Sequence, residues 1–277
     1  MTTTATTQKQ KTKSKKTEHA ALTKTAHRTG AFVWFELKTK DVAAARAFYG
    51  AVVGWTTKDT PMGDFVYTEL VAGGASVGGL LPTDAPRAST LAYLSVDDVD
   101  ACVARAKKTG AQIVEPAFDV PTVGRMCTVK LVDGALLSFL KAEQGDAPEA
   151  SHDGSIAWFE HWSSDVEGAL AFYRGTTNQR AASMDMGGAP YHVLHAPGVS
   201  SSTKDGGLFG LMPAPMGAPS CVVPYVQTSS VDETLVRVTT HGGQILAPAM
   251  DVDGIGRIAV CADPQGGVFG LFTPPRA

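Results

Sequence analysis

The chain has 277 residues, of which 44% are hydrophobic and 18% are charged, a composition typical of globular proteins. Residues 1–30 carry seven Lys or Arg and one acid, a net +6 that leaves −9 for the rest of the chain. An acidic folded part argues against nucleic-acid binding, and no apolar run approaches the ~18 residues of a membrane span.

The first 29 residues differ in composition from the rest of the chain. They are rich in Thr, Lys and Gln and have few apolar side chains, so we expect a disordered basic tail over 1–29. Its lysines are typical either of an arm for an anionic partner or of a solubilising segment, and both interpretations stay open. The four cysteines show no Cys-x-x-Cys spacing, which predicts free thiols and a cytoplasmic protein.

Beyond the tail, the pattern predicts short strands separated by helices. A strand over 31–37 precedes Asp41, which has the residue type of a helix N-cap, and Gly54 ends the helix that follows. Two strands over 65–71 and 76–81 come next, and the pattern then restarts. The second round has a strand, a helix and three strands, over 91–96, 99–110, 112–115, 126–131 and 136–140. One unit therefore consists of two β-α-β-β-β modules.

This unit occurs twice in the chain. Residues 30–49 return at 154–173 with a constant offset of 124, and the matches between Tyr93 and Gly134 return with an offset of 132. A repeat of this length indicates a duplicated domain rather than a solenoid repeat. The predicted boundaries are those of a first domain, a linker and a second domain, over 30–143, 144–153 and 154–277.

Each half opens with the same string of residues. A Trp-Phe-Glu string that begins at Trp34 or Trp158 is followed by an Asp at the helix N-cap and by Ala-Phe-Tyr. Four such modules in register resemble the vicinal oxygen chelate superfamily, which includes glyoxalase I, bleomycin-resistance proteins and extradiol dioxygenases, and especially its tandem glyoxalase-like branch. The resemblance implies an α+β fold in which four β-α-β-β-β modules form two tandem domains with cup-shaped mixed sheets.

The resemblance also implies the positions of metal ligands, on the first and last strand of each module. Those positions hold Trp34, Gly79, Leu91 and Ser138 in the first half, and Trp158, Gly210, Val223 and Gly270 in the second. None offers the carboxylate, imidazole or thiolate that divalent ions need. We therefore expect no metal and no other cofactor, which disfavours metal-dependent glyoxalase or dioxygenase chemistry.

Alternation along the strands predicts what the cups contain instead. Glu36 and Glu160 each lie two residues after a tryptophan, and are the predicted catalytic residues because apolar surroundings raise the pKa of a carboxyl group. In the alternative, each glutamate pairs with Arg125 or Arg257 and only maintains the shape of the cup. The predicted ligand-binding residues are Trp34, Lys38, Tyr67, Tyr93, Arg125, Trp158, Trp162, Tyr191, Tyr225 and Arg257.

Two further interpretations stay open. The tryptophans either stack on a flat ligand or fill the volume of a lost metal site, and the tyrosines either donate to a ligand or belong to the core. His161 has no ligand spacing and is predicted to lie at the surface.

The sequence favours a metal-independent, glyoxalase-like protein that holds an organic ligand in an aromatic-lined cup. One alternative is an enzyme of the same fold, a lyase, isomerase or cyclase-like protein that uses Glu36 or Glu160 as acid or base. Another is an assembly surface made by a degenerate half. We expect a small-molecule partner, no nucleic acid and no membrane, and a monomer or homodimer.

Overall fold

The computed structural model describes residues 25–63, 65–147, 149–185, 188–199 and 206–275. In the first half, the elements are β1 Phe32–Thr39, α1 Val42–Val53, β2 Thr56–Met62, β3 Phe65–Ala72, β4 Ala75–Pro82, β5 Ser89–Ser95, α2 Val99–Lys108, β6 Gln112–Val120, β7 Gly124–Lys130 and β8 Leu136–Ala142. In the second half, they are β9 Ile156–Ser163, α3 Val166–Thr177, β10 Arg180–Met184, β11 Tyr191–His195, β12 Gly207–Pro213, β13 Cys221–Gln227, α4 Val231–Thr240, β14 Gln244–Val252, β15 Gly256–Ala262 and β16 Val268–Thr273.

Each half forms one mixed eight-stranded sheet. The strand orders are β2-β3-β4-β1-β5-β8-β7-β6 and β10-β11-β12-β9-β13-β16-β15-β14, so the second sheet repeats the first strand for strand. Consecutive modules of one half meet where β1 pairs with β5, and where β9 pairs with β13, in antiparallel register. The predicted α+β fold of four β-α-β-β-β modules is confirmed, and the modules pair within a half.

Local chemistry sets the ends of the helices. The Asp41 side chain accepts from the Ala44 amide and begins α1, and Gly54 ends that helix at φ +75, a conformation that glycine adopts without a steric penalty. Asp98, Asp165 and Ser230 cap the other three helices in the same way. None of the helices in the described ranges reaches the length and hydropathy that a transmembrane helix requires.

The two halves share one hydrophobic core. The rings of Phe32 and Phe209, from different halves, lie 4.8 Å apart between centroids, and those of Tyr49 and Phe269 lie 5.4 Å apart. Helix α1 contacts α4, and α2 contacts α3. The helix-bearing faces of both sheets therefore pack together, and the opposite face of each sheet forms a cup. We call the face that carries Glu36 the first cup and the face that carries Glu160 the second cup.

A buried polar network crosses between the halves. His161 Nε2 lies 3.0 Å from Asp133 Oδ2, and His161 Nδ1 lies 2.9 Å from the Tyr173 hydroxyl. The side chains of His161 and Asp133 are both fully buried. The surface position predicted for His161 is therefore wrong: on β9 this side chain faces the helices, and an acid from the other half accepts its hydrogen bond.

The start of the described chain is fixed against the predicted linker. The Thr25 amide donates to the Gln144 carbonyl at 2.9 Å, and Arg28 Nη1 lies 2.7 Å from Glu149 Oε1. Residues 25–29 of the predicted tail are thus held in place, whereas residues 1–24 lie outside the described residues. For those 24 residues, the disordered tail stays a prediction.

Candidate functional site

The first cup is built around Glu36 at the middle of β1. The Tyr93 hydroxyl donates to Glu36 Oε2 at 2.6 Å, and the Tyr67 hydroxyl lies close enough to lower the pKa of this carboxyl group. Trp34 Nε1 donates to the Tyr67 hydroxyl at 3.0 Å. Four predicted site residues thus form one polar network.

The second cup repeats this network and extends it. The Tyr225 hydroxyl donates to Glu160 Oε2 at 2.9 Å, and Trp158 Nε1 donates to the Tyr191 hydroxyl at 3.0 Å. The Tyr191 hydroxyl also lies close enough to Glu160 to lower the pKa of this carboxyl group. Trp162 Nε1 adds one more donor, at 2.7 Å from Glu160 Oε2. The carboxyl group therefore accepts hydrogen bonds from Tyr225 and Trp162.

Strand register places these side chains together. Glu36 lies beside Gly79 on one side and Leu91 on the other, and Glu160 lies beside Gly210 and Val223 in the same way. A Cβ atom added at Gly79 would overlap with the Tyr67 hydroxyl, and one added at Gly210 would overlap with the Tyr191 hydroxyl. Each glycine thus leaves the space that the tyrosine needs to reach the glutamate.

Burial dominates the electrostatics of both glutamates. Desolvation raises the pKa of Glu36 above its ordinary value of 4.5, although hydrogen bonds from Tyr93 and Tyr67 and the charge of Lys38 act in the other direction. Desolvation likewise raises the pKa of Glu160, against hydrogen bonds from Trp162, Tyr225 and Tyr191. Proton uptake is thus easier at these carboxyl groups than at an exposed glutamate.

Arg125 and Arg257 are not part of this network. Arg125 Nε lies 2.9 Å from Asp100 Oδ2 of α2, and Arg125 Nη1 lies 3.0 Å from Asp119 Oδ2. Arg257 makes the same pairs with Asp232 and Asp251. Both arginines point to the helix-bearing face, because on β7 and β15 the cup-facing residues have the opposite parity. Their predicted placement in the cups is therefore wrong, as is the alternative in which they pair with the glutamates, whereas a role in ligand binding elsewhere stays a prediction.

The surroundings of the two networks differ in charge. Strand register matches four charged residues of the first cup with four uncharged residues of the second. The pairs are Lys38 and Trp162, Lys58 and Ala182, Glu69 and Val193, and Glu115 and Ala247. In the first cup, Glu69 accepts from Lys58 Nζ at 3.0 Å and from the Ser76 hydroxyl at 2.5 Å. The second cup therefore has the more apolar walls.

A cavity of about 380 Å³ opens in the second cup. Its polar floor is the side chains of Trp158, Glu160, Tyr191 and Tyr225. Its walls are lined by Ala157, Met184, Val193, Gly206, Gly207, Val252, Ile255, Ile258 and Phe272. A mostly apolar cavity of ~300–1,000 Å³ with a few converging polar groups is typical of small-molecule sites.

A second depression, of about 470 Å³, is less suited to a ligand. It lies between Thr25, His27 and the ends of β7 and β8, and its lining includes neither Glu36 nor Glu160. Arg125, a basic residue of its lining, is already paired with two carboxylates. The second cup is therefore the better candidate site.

Sequence reasoning missed most of the apolar wall of this cavity. Ile258 and Phe272 lie opposite each other on β15 and β16 and both line it. The signal that could have found them is alternation along β15: if Arg257 faces the helices, its neighbour Ile258 faces the cup.

The residues of neither cup fit the divalent ion that the fold family implies. The eight matching positions hold Trp, Gly, Leu, Val or Ser, and the hydroxyls of Tyr67 and Tyr191 occupy the space beside Gly79 and Gly210. Among the described residues, no three His, Cys, Asp or Glu side chains are grouped closely enough to hold a metal ion.

Three comparisons place this geometry among known proteins. Residues 31–70 match the family model of the bleomycin resistance protein-like N-terminal region. The chain is 32% identical over 258 residues to Putative glyoxylase CFP32 of Mycobacterium tuberculosis, a match that covers 90% of this chain and 96% of that protein. It is 27% identical over 261 residues to Anthracycline biosynthesis protein DauV of Streptomyces sp. strain C5, covering 87% and 92% of the two chains.

A similarity of fold extends over nearly the same length. The Mn(II)-bound glyoxalase from Novosphingobium aromaticivorans aligns with a TM-score of 0.64 at 18% sequence identity, over 89% of this chain and 82% of that one. At this identity, the comparison supports the fold only. Together with the duplicated module and the two matching mixed sheets, these similarities show that the chain belongs to the vicinal oxygen chelate superfamily, as a tandem glyoxalase-like and bleomycin-resistance-like member.

Proposed function

We propose that the chain binds an organic, aromatic ligand in the second cup without the help of a metal ion. The observation that carries this proposal is the 380 Å³ cavity, whose apolar walls stand over the hydrogen-bonded floor of Glu160, Tyr191, Tyr225 and Trp158. Aromatic side chains pack against flat ligands over large areas, and the few polar groups of the floor fix the orientation.

The name of one relative supports an aromatic ligand. One relative that covers most of this chain bears the name of an anthracycline biosynthesis protein, and anthracyclines are polycyclic aromatic compounds. Apolar residues at the walls, such as Ile258 and Phe272, would bury the faces of such a ring system. The absence of carboxylate and imidazole donors at the family's metal positions supports a site that works without a metal.

A second candidate function is acid–base catalysis in the same cup. It is favoured by the raised pKa of the buried Glu160, because a carboxyl group that titrates nearer to neutral pH can both accept and return a proton. This would make the chain a lyase, isomerase or cyclase-like enzyme that acts on the bound molecule. Glu36, whose pKa is also raised, would play the same part in the first cup.

Native mass spectrometry of the purified protein tests the binding proposal. We expect a metal-free mass, with an organic adduct that is lost when Trp158 is changed to Ala. The matched variant Trp34→Ala alters the equivalent tryptophan of the first cup and should leave the adduct in place. A divalent ion bound at full occupancy would contradict the proposal.

Glu160→Gln separates binding from catalysis once the ligand is known. Glutamine keeps the size of the side chain and one oxygen that can accept hydrogen bonds, but it cannot exchange a proton. A binding protein should keep its affinity within about tenfold, whereas an enzyme that uses this carboxyl group should lose turnover by about 10²–10⁴-fold.

A further inference from the structure

We propose that the second cup selects uncharged ligands that donate a hydrogen bond to the Tyr225 hydroxyl. This inference rests on the proposed binding of an aromatic ligand in that cup. It adds the charge and the hydrogen-bonding sense of the ligand, which neither the fold nor the relatives specify.

The first argument is a count of protons on the cavity floor. Trp158 Nε1–H is used on Tyr191, while Trp162 Nε1–H and the Tyr225 hydroxyl proton are both used on Glu160. The Tyr191 hydroxyl lies close enough to Glu160 to lower the pKa of that carboxyl group. With the carboxylate ionised, the protons of Trp158, Trp162 and Tyr225 are therefore spent inside the network, and the carboxylate also attracts the Tyr191 hydroxyl proton. What remains to meet a ligand is oxygen lone pairs, which are acceptors.

Tyr225 is the acceptor best suited to a ligand. Its hydroxyl donates to Glu160 at 2.9 Å, and no described side chain donates to it. The Tyr191 hydroxyl, by contrast, already accepts from Trp158 at 3.0 Å. Tyr225 lines the cavity, so a phenol or amide group on a ligand could donate to its oxygen. A ligand donor that finds no acceptor in such a site lowers the affinity of the ligand, because the donor is removed from water without a new partner.

The charge of the cavity lining disfavours an anionic ligand. None of the described residues that line the cavity is Lys, Arg or His, and the one ionisable acid among them is Glu160. An anionic ligand would therefore be buried without a counter-ion and beside a carboxyl group, which is strongly unfavourable. The first cup has Lys38 and Lys58 at the positions where the second has Trp162 and Ala182.

Three bicyclic probes of nearly the same shape test the proposal on the full-length protein. The probes are 2-naphthol, which is uncharged and donates, 2-methoxynaphthalene, which is uncharged and does not donate, and 2-naphthoate, which is an anion at neutral pH. Ligand-observed NMR titration measures the three affinities. We expect 2-naphthol to bind about three- to tenfold more tightly than 2-methoxynaphthalene, the factor that one hydrogen bond contributes. We expect 2-naphthoate to bind more than about a hundredfold more weakly than either.

Tyr225→Phe assigns the preference to one hydroxyl. Phenylalanine keeps the ring that lines the cavity, so the affinity for 2-methoxynaphthalene reports whether the cavity is intact. In this variant, the affinities for 2-naphthol and 2-methoxynaphthalene should become equal. Tyr93→Phe makes the same change in the first cup. If Tyr93→Phe loses the preference for 2-naphthol and Tyr225→Phe keeps it, the hydroxyl that accepts from the ligand lies in the first cup and the proposal is wrong.

The outcomes distinguish this inference from the function on which it rests. If the two uncharged probes bind equally well, or if 2-naphthoate binds as tightly as they do, the selectivity proposed here is wrong while aromatic binding stands. If none of the three probes binds, the proposed aromatic site itself fails, and the inference fails with it.

Discussion

Gly210→Ala should break the hydrogen-bonded floor of the second cup with a single methyl group. An added Cβ atom at this position would overlap with the hydroxyl and Cζ of Tyr191 and would lie 3.1 Å from Trp158 Nε1. Gly210 is not among the residues with positive φ, so the backbone itself tolerates alanine. The effect of the substitution is therefore steric and is directed at one side chain.

The size of the effect follows from the contacts that Tyr191 must give up. Moving the ring removes the hydrogen bond from Trp158, now 3.0 Å long, which contributes about 0.5–1.5 kcal/mol, and takes the hydroxyl away from Glu160. Strain from an added methyl group in a packed site adds about 1–3 kcal/mol where the ring moves only partly. We expect the free energy of unfolding to fall by roughly 2–4 kcal/mol, and aromatic probe binding in the second cup to be lost.

Urea unfolding followed by fluorescence measures the loss of stability. Gly188→Ala is the control, because an added Cβ atom there meets nothing within 4 Å and φ is not positive. Gly79→Ala, which should displace Tyr67 in the first cup, should cost a similar amount and leave probe binding in the second cup unchanged. The reasoning is refuted if Gly210→Ala is as stable as the control, or if it costs just as much in a Tyr191→Ala background, where the overlapping ring is absent.

Three other substitutions test separate parts of the structure. Burial raises the pKa of Glu160 above 4.5 in the folded protein, so the protonated carboxyl group contributes stability that is lost as pH rises from 4.5 through the raised pKa. Over this pH range, the urea midpoint of the wild type should therefore fall relative to the midpoint of Glu160→Gln. Asp133→Ala should lower the free energy of unfolding by about 3 kcal/mol, since it leaves the buried His161 without an acceptor, and thermal unfolding checks this. Arg257→Ala should leave the probe affinities of the second cup unchanged, because Arg257 binds Asp232 and Asp251 outside the cup; a loss in the NMR titration would contradict this placement.

Much of the fold could be predicted because the duplication supplied two copies of each pattern. Asp41 and Gly54 mark the ends of α1 by local chemistry alone, and the Trp-Phe-Glu string places Trp34 and Glu36 on one face of β1 by simple alternation. The tyrosine partners of the glutamates were predicted as cup residues for the same reason. Their hydrogen bonds could not be predicted, since these depend on register across β3, β4, β1 and β5.

Two wrong predictions show which features of the structure sequence patterns do not determine. The face that Arg125 or Arg257 occupies is set by the pairing of β7 with β8 and of β15 with β16, and this register is a property of the folded sheet that the local sequence does not show. The surface position predicted for His161 was wrong for another reason. Its acceptor, Asp133, lies in the other half of the chain, and only the packing of the two halves brings the two side chains together.

The repetition of the network in both cups bears on what gives the site its specificity. The Glu, Tyr, Tyr and Trp side chains and their hydrogen bonds are the same around Glu36 and Glu160, so this network alone cannot distinguish one ligand from another. The walls differ instead, with four charged residues in the first cup replaced by uncharged ones in the second. Because an apolar wall excludes charge while a shared floor fixes orientation, we infer that changes at the wall positions, such as Val193, determine which molecule each cup accepts.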